Sequence, residues 1–432
     1  MTRRRRWSWM VTAAAGMAAA VALTACSVVD PVNADAARTS RGDITIWYSN
    51  NEQEVQWGEQ VVKAWNSAHP DQKVTGQQIP TGKSSEAVIQ ASIIAGTEPC
   101  LIYNTSPASV PSFQQIGGLV ALDQFPGGAQ YIEDRSGPQA DQYKSPDGKF
   151  YQLPWKSNPV MIFYNKKLFA KAGLDANHPK LSSYSDFIAT AKQLVSKKVS
   201  KYAIYPAPSS EFFQSWYDFY SMYAAQSGGQ QLVKDDKSTF DDAAGLDVAT
   251  FWRQLYSANL AGKETYNGDA FADGVSAMSI VGPWAINVYD KIDWGVVPVP
   301  TKSGTPSEHT FSDAKNVAMY ASCTHRGTAW DFLKFSTSLA QDGKFLDITG
   351  QIPTRTGVTT KYASYFTKHP AYKSFAALAA GITEVPNVPN SVEMWQMFRD
   401  AWSKNVIFGS GGDLRQSLKS TAQSIDDLVA KK

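Results

Sequence analysis

The sequence predicts an α/β protein built as two lobes, and three observations carry that prediction. The chain has 432 residues, too many for one small domain. Short β-branched or aromatic runs alternate with helical patterns, and the alternation restarts in the second half of the chain. No Gly/Ser linker separates the halves, so the chain is predicted to cross between them more than once.

In the first half, Ile44 to Tyr48 reads as a strand. Trp57, Val61 and Trp65, four residues apart, mark one face of a helix. An extended stretch begins at Val74, Ser84 to Ala95 reads as a helix, and Leu101 to Tyr103 as a third strand. The turn Pro146-Asp147-Gly148 leads into Phe150 to Leu153, and Val160 to Tyr164 is a strongly apolar strand. In the second half, Phe187 to Val195, Phe212 to Ala225 and Val248 to Ala258 read as helices. Tyr202 to Tyr205, Ser276 to Ile280 and Trp294 to Val297 read as extended. A further extended run, Asn316 to Ala321, precedes a helix with Ala329, Phe332 and Leu333 on one face. Leu414, Leu418, Ala422 and Ile425 mark the final amphipathic helix.

The N-terminus carries an address. Arg3 to Arg6 are followed by an apolar run, Met10 to Leu23, of secretory rather than membrane-spanning length. Leu23-Thr24-Ala25-Cys26 resembles a bacterial lipobox, which implies a signal peptide over 1–25 and a diacylglycerol thioether on Cys26. Residues 26–42, small and polar, are predicted to tether the fold to the outer face of the cell membrane. Removing Arg3 to Arg6 lowers the 41 basic residues to 37, against 39 acidic ones. A near-neutral mature chain without a basic block excludes nucleic acid as the main partner.

The sequence nominates no catalytic or metal centre. None of His69, His178, His309, His325 and His369 lies three or four residues from another. The nucleophile-elbow and dinucleotide-binding glycine patterns are missing, and no cofactor is expected. The distinctive feature is aromatic residues at predicted strand ends, interleaved with small polar and amide groups: Trp47, Tyr48, Asn50 and Asn51; Tyr103, Asn104 and Thr105; Trp155 to Asn158; and Trp284. Aromatic faces beside amides suit a sugar, whose C–H face stacks while its hydroxyls are hydrogen-bonded.

Three segments resemble the extracellular solute-binding proteins of bacterial ATP-binding-cassette sugar importers, the maltose-binding-like group. They are Gly148-Lys149-Phe150-Tyr151-Gln152-Leu153-Pro154 with Phe163-Tyr164-Asn165-Lys166 beyond it, Ala277 to Ala285 with its Gly282-Pro283-Trp284 core, and Pro386-Asn387-Val388-Pro389 with Trp395 six residues later. The resemblance implies a periplasmic-binding-protein-like fold with a ligand cleft between lobes. Lobe one would span 43–153 and 312–352, and lobe two 156–309 and 354–432. It implies a monomer that is not an enzyme, holding a carbohydrate and delivering it to permease subunits driven by ATPases. The resemblance carries ligand contacts over to Asn50, Asn51, Glu52, Asn104, Thr105, Asn158, Trp284 and Trp395, and a further aromatic contact to Phe212 or Phe213; Trp155 joins the predicted site from its place at the apparent crossover. The family's returning strand, antiparallel beside the third strand, would bring Cys100 and Cys323 together as a disulfide in an oxidising compartment. Two other readings compete. Lys156, Lys315 and Arg355 near the crossings could meet a glycerophosphodiester or another anionic solute. A surface glycoside hydrolase would need a carboxylate pair that nothing in the sequence nominates.

Overall fold

The structure, a computed structural model, describes residues 33–82, 84–409 and 411–431. The predicted signal peptide and Cys26 lie outside the described residues. In chain order the strands are β1 (Ile44–Tyr48), β2 (Val74–Gln78), β3 (Leu101–Thr105), β4 (Leu153–Ser157), β5 (Met161–Asn165), β6 (Tyr202–Ile204), β7 (Val233–Lys234), β8 (Lys237–Ser238), β9 (Ser276–Val281), β10 (Trp294–Val297), β11 (Thr310–Phe311), β12 (Lys315–Met319), β13 (Ile352–Pro353) and β14 (Ile382–Thr383).

Two sheets organise the molecule. The first has the order β13-β4-β12-β3-β1-β2; β1 is parallel to β2 and β3, and β12 is antiparallel to both β3 and β4. The second has the order β10-β5-β9-β6, with β6 parallel to β9. A two-stranded ribbon, β11 with β14, lies at the passage between them. Helices cover the sheets as the sequence periodicity requires. Glu52–Ala68 buries Trp57, Val61 and Trp65, and Asn51 caps it by accepting from the backbone N–H of Gln53 and Glu54. Ser85–Ala95 is capped by the Ser84 hydroxyl and stopped by Gly96 at φ 65°.

Each sheet has its own aromatic core. In the first, the Trp155 ring lies 5.1 Å from Trp57, 5.1 Å from Tyr103 and 4.6 Å from Phe345. In the second, Phe219 meets Phe398 at 4.6 Å and Trp402 at 5.1 Å. Cys100 and Cys323 are joined by a disulfide with Cα atoms 4.5 Å apart. The antiparallel register Leu101 to Met319 brings their segments together at one end of the first sheet.

Two predicted elements differ from the observed ones. The segment from Pro154 to Ser157, expected as a crossing between the lobes, is instead most of strand β4, Leu153–Ser157, which carries Lys156 inside the sheet. A lysine is tolerated there because Glu54 lies 2.5 Å from its Nζ and Gln351 Nε2 donates to the same carboxylate at 2.7 Å. Phe212 to Ala225 is not one helix but a 3-10 turn, a π-helical turn over Trp216–Tyr220 and an α-helix, Ser221–Ser227. The π turn holds the buried Asp218, whose carboxylate accepts from Arg399 at 2.8 Å and Trp402 Nε1 at 3.1 Å.

Candidate ligand-binding site

Strands β6 and β9 run parallel, so the loops leaving both open on one edge of the second sheet. That edge, at strand carboxyl ends, is where α/β folds bind ligands. A cavity of about 380 Å³ lies there. Its walls are the loop after β6, the segment around Thr265 to Phe271, the last residues of β9, and Trp284. Five aromatic side chains line it: Tyr205, Tyr217, Tyr266, Phe271 and Trp284. Ser209, Gln214, Asp269 and Ser279 supply polar groups. This combination of stacking faces and a few polar groups is the chemistry of a small polar ligand with apolar faces.

The lining is held in place by its surroundings. Trp284 is half-buried and meets Tyr217 edge-on, ring centroids 6.1 Å apart. Gly282 makes the approach possible, because a Cβ there would lie 1.9 Å from the Trp284 ring. Asp269 is oriented by the backbone N–H groups of Phe271 and Ala272, each at 2.9 Å, and by the Tyr289 hydroxyl at 3.0 Å. Tyr266 donates its hydroxyl to Asp273 at 2.8 Å, and Tyr205 donates to the Glu264 carbonyl.

The two lobes touch at several points. Asn287 Nδ2 donates to Gln53 Oε1 at 3.1 Å. Lys315 Nζ, from the first sheet, lies 5.8 Å from the centre of the Trp216 ring. Ala108, which follows β3, is fully buried in the core of the second lobe.

Of the ten predicted ligand-contact residues, Trp284 alone lines the cavity. Trp155 is a core residue without exposed surface, locked between Trp57, Tyr103 and Phe345. Thr105 is equally buried, its hydroxyl bonded to the Ile102 carbonyl and to Tyr320, both at 3.1 Å. Trp395 has no exposed surface either, because Trp216 and Tyr220 pack edge-on against it. Phe212 is buried against Trp216 at 5.6 Å. Asn158 is buried at the crossing, where its Nδ2 donates to the Asp313 carbonyl at 3.0 Å. Asn51 serves as a helix cap; Asn50 and Glu52 beside it are exposed, and Asn104 is half-buried at φ 77°. Sequence reasoning missed Tyr205, Tyr217, Tyr266 and Asp269. The Pro- and Ser-rich segment Pro206 to Ser210, following a strand and flanked by Tyr205 and Phe212, was the available signal.

The three cations that could have met an anionic solute each have an acid partner. Lys156 pairs with Glu54 at 2.5 Å, Lys315 with Asp313 at 2.9 Å and Arg355 with Asp342 at 2.8 Å. Among the described residues no group of His, Cys, Asp and Glu is arranged to hold a metal, and no helix is long and apolar enough to cross a membrane.

Fold and cavity together define a two-lobed α/β binding protein. The chain belongs to the bacterial extracellular solute-binding protein family, which it matches over residues 49–342. It is 23% identical over 346 residues to the maltodextrin-binding protein MdxE of Bacillus subtilis, covering 76% of each chain. It is 24% identical over 305 residues to the diacetylchitobiose binding protein DasA of Streptomyces coelicolor, covering 67% of each. Among solved structures, the cyclic alpha-maltosyl-1,6-maltose binding protein from Arthrobacter globiformis shares the fold with a TM-score of 0.78 at 18% identity, covering 91% of this chain and 100% of that one.

Proposed function

We propose that this chain is the substrate-binding component of an ATP-driven importer. It captures a carbohydrate of di- or oligosaccharide size between its lobes and presents it to a membrane permease. The observation that carries this reading is the cavity of about 380 Å³ at the β6 and β9 strand ends, with Trp284 and four further aromatics around a few polar groups. Relatives named for maltodextrin and diacetylchitobiose binding support a sugar as the ligand class. The chain crossings after Ser157, at Thr310–Phe311, at Ile352–Pro353 and at Ile382–Thr383 act as the hinge. Ligand that contacts both lobes only when they close sets the open–closed equilibrium by its differential contacts. Export and a lipid anchor on Cys26 rest on Leu23-Thr24-Ala25-Cys26. Two acyl chains on one cysteine hold a protein on a bilayer stably, where one holds it only marginally.

A thermal-shift screen of the soluble chain against mono-, di- and oligosaccharides tests the reading, because a ligand that binds only the folded state raises its melting temperature. At least one sugar is expected to stabilise the protein and to be recovered intact after prolonged incubation. No shift with any sugar would refute carbohydrate capture, and a shortened sugar would favour a hydrolase.

A further inference from the structure

The cavity at the β6 and β9 strand ends is charged in one sense only. Asp269 is the one acidic residue in its wall, and among the described residues no Lys, Arg or His lines it. A second carboxylate stands behind the wall, where Asp273 accepts from the hydroxyl of the lining Tyr266 at 2.8 Å. The field inside is therefore negative.

The Asp269 carboxylate is held in one orientation. Oδ1 accepts from the backbone N–H groups of Phe271 and Ala272, each at 2.9 Å, and Oδ2 accepts from the Tyr289 hydroxyl at 3.0 Å. That hydroxyl also lies 3.2 Å from Ser279 Oγ, so it links two polar groups of the cavity wall. Tyr289 is itself buried, packed 4.6 Å from Phe271 and 5.4 Å from Phe163. Burial pushes its phenol above the ordinary value, which keeps it a donor. The main chain is fixed too: the Asp273 N–H donates to the Asp269 carbonyl, and the Ser276 N–H, at the start of β9, to the Ala270 carbonyl, both at 2.9 Å.

A carboxylate offers about four acceptor positions. Three donors already occupy Asp269, two on Oδ1 and one on Oδ2. One position on Oδ2 is left, on a residue of the cavity wall, and a single O–H donor fills it. A hydrogen bond to a charged acceptor is roughly twice as strong as one between neutral groups. An anionic group in the same place would meet like charge with no cation in the wall to offset it.

We propose that Asp269 is the specificity-determining residue of this site, accepting a hydroxyl of an uncharged sugar and rejecting sugars that carry a carboxylate or phosphate. Tyr289 is its positioning residue, acting through Oδ2. This rests on the carbohydrate reading above and names the substrate class within it, neutral sugars.

The test is calorimetric titration near neutral pH of the parent, Asp269→Asn and Tyr289→Phe. The probes are maltose, cellobiose and N,N′-diacetylchitobiose, each beside its uronate, in which one terminal hydroxymethyl is oxidised to a carboxylate. The parent is expected to bind a neutral sugar at least about tenfold more tightly than the matching uronate. Asp269→Asn keeps the side-chain shape and an acceptor for the two N–H groups but loses the charge. It is expected to bind the neutral sugar about tenfold more weakly and to narrow the gap to about threefold or less. Tyr289→Phe keeps the charge, so it should weaken the neutral sugar while leaving the gap wide. A merely structural role would lower the melting temperature of the variants without changing the ratio of the two affinities. A uronate that the parent binds as tightly as the neutral sugar, or a ratio unchanged in Asp269→Asn, would overturn the proposal. If only the uronates bind, the proposal fails and carbohydrate capture stands. If no sugar binds at all, both fail.

Discussion

Two side-chain arrangements separate binding from stability at the level of single residues. Gly282 lets the Trp284 ring lie against the backbone, and an alanine there would put its Cβ 1.9 Å from that ring. Gly282→Ala is therefore predicted to displace Trp284 from the cavity wall and weaken ligand binding about fivefold or more by calorimetry, with the far-UV circular dichroism unchanged. Asp342 is the converse case. It accepts both Arg135 Nη2 bonds at 3.0 Å and Arg355 Nε at 2.8 Å, and it is fully buried. Arg135 in turn donates to the Thr354 carbonyl at 2.7 Å and the Trp155 carbonyl at 3.2 Å, which ties the helix Gly128–Ser136 to the crossing. Asp342→Ala would leave buried guanidinium charge uncompensated, at a cost of about 3–5 kcal/mol. Urea unfolding is expected to show the lower midpoint. A midpoint unchanged from the parent would mean that the network contributes little.

At the level of elements, the disulfide and β4 show what the sequence could and could not convey. Cys100 precedes β3 and Cys323 follows β12, and the bond between them closes a separation of 223 residues. For a loop of that length the chain-entropy account gives an upper figure of about 5 kcal/mol. Reduction is thus predicted to lower the urea midpoint markedly. Thiol labelling of the denatured, unreduced chain should find Cys100 and Cys323 unreactive; labelling of both would contradict the bond. The elements from Ile44 to Thr105 were legible because strand runs and a four-residue helical spacing stand out there. β4 was not, because Lys156 inside it resembles a loop residue, and its partner Glu54 lies 102 positions away in sequence. Reading β4 as a crossing also placed Trp155 in the cleft, where the structure puts it in the core. The Phe212 to Ala225 segment was misread for a similar reason, since the π turn depends on Asp218 meeting Arg399 and Trp402 from a distant helix.

For the whole molecule, the two-lobed architecture was legible from the alternation and the shared motifs, and the cavity only in part. Trp284 came from a motif, whereas the loops around Tyr205 and Tyr266 meet only because β6 and β9 are parallel neighbours. Loops carry no periodicity, so residues 205 and 266 give no sign of sharing a wall until the sheet is assembled. The same assembly brings Gln53 to Asn287 and Lys315 to the Trp216 ring, contacts that join lobes far apart in sequence. The central claim is that a sugar binds in this cavity against Trp284. It is tested most directly by calorimetric titration of Trp284→Ala with whichever sugar stabilises the parent in the thermal-shift screen. Loss of the stacking face is worth on the order of 1–3 kcal/mol, so the variant should bind about 5- to 150-fold more weakly. Unchanged affinity in a folded Trp284→Ala protein would contradict the placement of the ligand in this cavity.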